Sequence, residues 1–565
     1  MTARPRPILA GFVAAFGVAA MVGAVFVIAT LPPRSASLPA APPNVIFGGY
    51  HIHTSRSDGS GSVDDVAVAA ARAGLRFVIL TDHGDATRPP LAPQYLHGVL
   101  CIDAVEINTA AGHLVALGLS KPSPYPLAGE AAGVVEDVHR QGGWGIVAHP
   151  DSPRDSLAWH DWSVPYDGVE WLNADAQWRD ASTPALITTM ARAVIRAPES
   201  IASLFKRPAV TLARWDAALE ERPIVGLAGL DAHARLLGWR ETGASTPTSH
   251  VLIAKPSYED LFRTIAQAVT LDAPLGGNAA ADAARVLGAI ESGRTFSIVR
   301  AMAWPASIEF MATTSSGVTG MGGVAPAGSA ATFSARVPEA PGVPLILFCD
   351  GRVTATGRGR VTYVSNGQPT VCRVEAYYPG RSMPWIVSNP ITVRTPQPAA
   401  PAAETAPVSV MNLLDASRWR VEHDPASTGS MVAVASGLTF TVALGPGVPA
   451  GQFAAMAATL DGSAAYDRVS ITASADAPIR LWAQVRLPGG KDGLRWERSL
   501  YLDATPRTIT LPLESFAPVD RPSTSRPVAA RITSVLLVVD TVNSLPGRRA
   551  TISLSRIQLG NGSPR

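Results

Sequence analysis

Short apolar runs recur through the first half of the chain, and one after another they end on His, Asp or Glu. Phe77-Val78-Ile79-Leu80 runs into Asp82 and His83. Cys101 to Val105 runs into Glu106, with His113 after Gly112. Trp144 to Ala148 ends at His149-Pro150, and Pro223 to Leu230 ends at Asp231-Ala232-His233. Apolar runs of this length predict strands buried on both faces. Helical segments lie between them. Val63 to Ala73 carries Asp64 and Asp65 in its first turn and is closed by Gly74, a charge and cap pattern that suits a helix. Gly129 to Arg140 and Ser203 to Glu220 read the same way. Alternating strands and helices predict parallel strands joined by right-handed crossovers. With polar residues at the strand ends, the expectation is an α/β barrel with a polar mouth.

After Thr295-Phe296-Ser297 the pattern changes. Pro305 to Arg394 has short β runs at Ser307 to Met311, Ala331 to Val337, Leu345 to Cys349, Val361 to Val364 and Val371 to Tyr378. Asp350-Gly351 and Asn366-Gly367 are hairpin signals. Residues 305–394 are therefore expected to form an immunoglobulin-like β-sandwich. Thr395 to Pro407 is a Pro/Ala linker. Residues 408–565 read as a second all-β unit, a jelly-roll of the carbohydrate- or galactose-binding type. In it Trp482, Trp496 and Tyr501 either form a sugar-stacking platform or fill the core. Cys349 and Cys372 fall on predicted strands, as a disulfide or as two core thiols.

At 565 residues, the chain is long enough for several cores. Arg4 and Arg6 precede an uncharged stretch from Ile8 to Leu31, about 36 Å as a helix, against a bilayer core of about 30 Å. Residues 1–43 are thus expected to be a transmembrane anchor and linker that place the rest outside the cytoplasm. A cleaved signal peptide, and with it a secreted protein, is the alternative. Net charge is +2, and Lys and Arg form no basic run, so there is no nucleic-acid footprint.

The chemistry gathers in residues 44–304. His51-Ile52-His53-Thr54 puts two imidazoles at i, i+2 of an extended segment, on the same side. Imidazole and carboxylate together are ligands for zinc, manganese or iron. The blocks HxHT, SDG (Ser57-Asp58-Gly59), TDH (Thr81-Asp82-His83), E…GH, AHP and GxDxH (Gly229 to His233) follow in order. In that order they resemble the PHP (polymerase and histidinol phosphatase) superfamily, from about Asn44 to Trp304. Pro384 to Ile391 resembles the tail of secreted members with a β module.

The resemblance implies a distorted (β/α)7 barrel holding two or three divalent ions (Zn, Mn or Fe). His51, His53, Glu106 and Asp231 would take the first, and Glu106 would bridge to a second held by His113 and His149. Asp58, His83 and His233 would take a third, with Asp58 standing where some relatives have histidine. The expected activity is hydrolysis of a phosphomonoester or phosphodiester by metal-activated hydroxide. Glu106 and Asp231 would be central to it. Arg235 is the first candidate for the substrate's charge, with Arg56, Arg88 and Arg154 behind it. A carbamate or carboxylic ester hydrolase of the carbaryl-hydrolase-like group is one alternative. A non-enzymatic envelope- or glycan-binding surface protein is the other. Asp82 is expected to steady an imidazole, Asn173 to shape a loop or touch substrate, and Cys101 to lie in the core. His97, His139, His160, His250 and His423 match no block.

Overall fold

Burial on both faces makes strands of the apolar runs. Phe77–Leu80, Trp144–Val147, Gly168–Asn173 and Val225–Gly229 are buried at every position. The computed structural model describes residues 7–235, 237–240, 249–253, 255–395, 409–447, 451–460, 466–519 and 526–561.

These strands divide between two sheets. In the first, Val45–Ile52 pairs in parallel with Phe77–Leu80, which pairs in parallel with Val99–Asp103. On its other side Val45–Ile52 runs antiparallel to Ala266–Thr270, and that strand runs antiparallel to Thr295–Ile298. The second sheet has five strands. Val105–Thr109 and Gly112–Leu117 form a hairpin, Trp144–Val147 joins it antiparallel, and Gly168–Asn173 and Val225–Gly229 follow in parallel. An apolar layer containing Phe77, Ile79 and Leu100 from one sheet and Val115, Ile146 and Leu227 from the other fills the space between.

The expected (β/α)7 barrel is therefore corrected. Strand accounts for 39% of the chain and helix for 21%, and ladders of mixed direction replace a closed parallel ring. The reason is physical: an apolar run reports burial, not direction. The turn at Ala110-Ala111 also leaves no room for a crossover helix. Among the described residues, the isolated bridges of Ile52 with Ala232 and His83 with Glu106 join the sheets at their C-terminal edges.

The helices pack outside. Val63–Arg72 begins with a capping box between Ser62 and Asp65. Ala131–Arg140 buries Val134, Val135 and Val138. The segment read as one helix from Ser203 starts instead at Ala209, behind Pro208, because the residue before proline avoids the helical region. Thr183–Ala202 is a helix not foreseen.

The anchor expectation is corrected as well. A helix covers Pro7–Ala29. Among the described residues, no helix is long and apolar enough to cross a membrane. The expected extracytoplasmic placement falls with the anchor that carried it. The segment read as a linker is pinned down: Ala36–Ser37 pairs with Ala303–Trp304, and Arg196 donates to the Pro32 carbonyl at 2.6 Å.

The first β unit shares its sheet with the preceding one. Ile386–Ser388 pairs with Thr295–Ile298 and carries the ladder into Thr370–Ala376 and Pro344–Cys349. A four-stranded sheet containing Glu309–Thr314 and Thr332–Arg336 forms the other layer. Cys349 and Cys372 are disulfide-bonded, and Cys101 is a free, buried thiol. Arg373 locks onto Asp216 at 2.6 and 2.7 Å, and Arg207 onto Glu375 at 2.9 and 2.6 Å.

The second β unit consists of two six-stranded sheets around their own core. It clamps the helix Ala131–Arg140. Arg480, 1% exposed, donates to both oxygens of Asp137 at 2.8 and 2.5 Å. The Asn543 amide donates to the carbonyls of Pro126 and Ala128, at 3.2 and 3.0 Å. Trp496 lies in the sandwich core, Trp482 beside Gly129, and Tyr501 beneath the Arg140 guanidinium. All three are buried, so packing claims them rather than an open aromatic platform.

Candidate metal centre

The C-terminal edges of the two sheets bring the histidines together, and the backbone is bent to do so. His51, His149 and Asp231 have φ of 64°, 29° and 50°, in the left-handed region that side chains with a Cβ seldom adopt. At His51 the strand slips register against its neighbour. The two imidazoles of the HxH segment, 5.2 Å apart between ring centres, thus meet through a bulge rather than by simple strand alternation.

Glu106 sits in the middle, 1% exposed. Its Oε1 lies 2.7 Å from His113 Nδ1 and 2.9 Å from His149 Nε2. Its Oε2 lies 3.3 Å from His51 Nε2 and 3.2 Å from both His53 Nε2 and His83 Nδ1. Asp231 Oδ1 lies 3.2 Å from His53 Nε2 and 3.5 Å from His51 Nε2. Asp58 approaches His233 Nε2 at 3.1 Å, His53 Nδ1 at 3.5 Å and His83 Nε2 at 3.8 Å. Every metal ligand named from the sequence is in this cluster, and Arg235 lies at its edge, 3.5 Å from Asp58.

The grouping differs from the one the resemblance implied. Ligand atoms within 4.8 Å of one another fall into four overlapping sets: His53, Asp58, His83 and His233; His51, His53 and Glu106; His51, His149 and Asp231; and His83, Glu106 and His113.

Burial and charge shape the cluster's protonation. Burial alone would raise Glu106, but His51, His113 and His149 outweigh it and hold the carboxyl well below its ordinary range. Burial likewise acts against charge on His53, yet the carboxylates of Asp231 and Glu106 beside it raise it to about 10. His83 goes the other way, down to about 4, through burial and the neighbouring His53 and His113.

A cation fits this donor set. His51 Nε2, His53 Nε2, His83 Nδ1 and Glu106 Oε2 are buried without a hydrogen-bond partner. Each such orphan costs about 1–3 kcal/mol, and all of them face one another.

No family model matches the chain, and no curated protein matches it. Solved structures give short likenesses. A family 11 carbohydrate-binding module from Clostridium thermocellum, bound to a β-1,3-1,4-mixed-linked tetrasaccharide, is 18% identical; 28% of this chain and 100% of that one are covered, with a TM-score of 0.22. An exo-β-agarase is 10% identical, with 26% and 24% covered and a TM-score of 0.19. Likenesses of this extent assign no activity to the chain.

The sequence reading passed over the residues that steady the ligands. Glu170, fully buried, pairs with His51 Nδ1 at 2.6 Å. It also accepts from the His149 backbone N–H at 2.8 Å and the Asn173 amide at 2.7 Å. Holding Nδ1 this way turns Nε2 of His51 toward the cluster. The Leu157 carbonyl does the same for His149, and the Asp231 carbonyl for His233, each at 3.0 Å. The available signal for Glu170 was a lone carboxylate in the middle of the buried strand Gly168–Asn173. Asn173 caps the helix Ala174–Arg179. Asp82 bonds no imidazole directly. It grips Thr54 N, Thr54 Oγ1 and Ser57 Oγ at 2.8, 2.8 and 2.6 Å, and Ser57 Oγ lies 3.4 Å from His53 Nδ1. Tyr258 donates to the His53 carbonyl at 2.7 Å, and nothing in its sequence context marks it. His97 and His139 pair with Asp64 and Asp167 away from the cluster, and the His250 side chain lies outside the described residues.

Proposed function

We propose that this cluster holds two or three divalent metal ions and that the protein is a metal-dependent hydrolase of phosphoesters. The observation that carries the reading is the ring of orphaned, mutually facing donor atoms on His51, His53, His83 and Glu106. His51, His53, Glu106, His113, His149 and Asp231 would form the buried part of the ligand set, and Asp58, His83 and His233 the outer part. Bound ions of this kind acidify water to supply a nucleophile and offset charge on the leaving oxygen. The ligand types also agree with the resemblance to the PHP superfamily, which we keep at the level of these residues and not of a barrel.

The chain's own part is to hold and orient. Glu170 and the carbonyls of Leu157 and Asp231 fix which nitrogen each histidine presents. Arg154 and Arg235 line a cleft of ≈ 210 Å³ that opens on Asp58, Asp231 and His233. Guanidinium groups there suit phosphoryl oxygens, which favours a phosphoester over an uncharged carbamate or carboxylic ester.

The test is turnover of a chromogenic phosphomonoester, a phosphodiester and a carboxylic ester by the full-length protein loaded with manganese or zinc. Metal content is measured alongside, and His53→Ala is the control. Phosphoester hydrolysis lost together with metal in the variant is expected. Hydrolysis of the carboxylic ester alone, or metal-bound protein inert toward all three, would sink the reading.

A further inference from the structure

Among the described residues the cluster opens at two places. Toward Asp58 and His233 it meets the cleft lined by Arg154 and Arg235. Toward His83 it meets a second cleft of ≈ 220 Å³, lined by Arg88, Lys121 and Leu119 among others. His83 belongs to the same ligand set as Asp58 and His233, so the clefts flank one reaction centre. The innermost members of the cluster are closed off: His51 and His53 are 0% exposed and Glu106 1%.

The second cleft is furnished for a ligand. Its acids are engaged elsewhere: Asp103 is bound twice by Arg56, at 2.6 and 3.1 Å, and Asp85 accepts from Thr87. Arg88 and Lys121 are exposed at its rim. Its walls are built, too. Ser123 N donates to the Ala86 carbonyl at 2.8 Å and Leu127 N to the Asp85 carbonyl at 2.9 Å. The segment carrying those donors is the one Asn543 of the second β unit holds from behind.

A phosphomonoester has one organic arm and would use one cleft. A phosphodiester has two. We infer that the substrate is a phosphodiester whose arms lie in the two clefts, with the phosphorus over the exposed edge of His83, Asp58 and His233, and with Arg88, Lys121 and Leu119 receiving the second arm. The inference rests on the hydrolase reading above and narrows its substrate class. Hydrolysis would add water across one P–O bond: the water oxygen joins phosphorus, the arm leaves as an alcohol with one proton, and a monoester remains.

Leu119→Trp fills the second cleft, and Arg88→Ala with Lys121→Ala strips its rim. The full-length manganese-loaded protein is assayed with bis(4-nitrophenyl) phosphate and 4-nitrophenyl phosphate. Binding of diphenylphosphinate, which has two arms and no P–O bond to cleave, is compared with that of one-armed phenylphosphonate by calorimetry. We expect wild type to favour the two-armed compounds. Leu119→Trp should lower the two-arm to one-arm ratio at least tenfold in both kcat/KM and affinity, and the double variant should lower it in the same direction. Circular dichroism verifies folding, and the double variant keeps the test open if the tryptophan is not tolerated. A wild type that cleaves only the monoester, or ratios unmoved in both variants, overturns this inference and leaves the hydrolase reading standing. A metal-loaded wild type inert toward both phosphoesters removes both.

Discussion

Adding one methyl group to Gly229 reaches the proposed metal centre without touching a candidate ligand. A Cβ there would overlap the Glu170 carboxyl, with Oε2 only 2.6 Å away. Glu170 cannot simply step aside, because His51 Nδ1, the His149 N–H and the Asn173 amide hold it in place. Overpacking of this kind costs about 1–3 kcal/mol, and retreat of the carboxylate would break charge-assisted bonds of about 1.5–3 kcal/mol each. Once His51 loses its partner, metal affinity should fall about 10–100-fold, or about 1.4–2.8 kcal/mol. Metal titration of Gly229→Ala against wild type reads this directly. Gly226→Ala is the control: on the same strand, its Cβ would run into the Trp215 ring instead, so it should lower the melting temperature with little change in metal affinity. Wild-type affinity in Gly229→Ala, or equal losses in the two variants, would refute the role given to Glu170.

Three further outcomes are expected. Arg480→Ala leaves the buried Asp137 carboxylate with Arg140 as its remaining guanidinium partner and should cost up to about 3–5 kcal/mol in denaturant unfolding; Asp137→Leu with Arg480→Met should recover most of it, and no difference between the two would contradict the account. Burial works against ionisation of Glu375, but Arg207 and Arg373 prevail and hold it below its ordinary 4.5. Its contribution is therefore present above pH 4.5 and lost as pH falls through the lowered value, so melting curves of Glu375→Gln should flatten against wild type below about pH 4.5. Reducing the Cys349–Cys372 bond, which closes a separation of 23 residues, should lower stability by about 3 kcal/mol, seen as a downward shift in urea midpoint that Cys349→Ser reproduces.

The ligands were legible because the chain places them at the ends of apolar runs, where a buried strand surfaces. Their convergence was not. Nothing in His51 or Asp231 as residue types announces a positive φ, so His51 and His53 come together through a bulge that i, i+2 spacing does not predict. Apolar runs looked alike whether the strand was parallel, as Phe77–Leu80 is, or antiparallel, as Gly112–Leu117 is, and the barrel expectation failed there. Glu170 was hidden by standing inside such a run rather than at its end. The pairs Arg480–Asp137 and Arg373–Asp216 join residues 343 and 157 positions apart, a distance over which pattern and spacing carry no information.

The Asn543 clasp has a consequence for how the molecule is made. The carbonyls it caps lie 417 and 415 residues earlier, and Asp137 waits 343 residues for Arg480. During synthesis every residue of the metal centre leaves the ribosome long before the piece that braces its neighbouring helix. The proposed ligands and their final bracing are therefore made at separate times, and a premature stop near the C-terminus would be felt at the other end of the chain. Protection of the segment around Pro126 in pulse-labelled nascent chains should appear only after residue 543 has emerged.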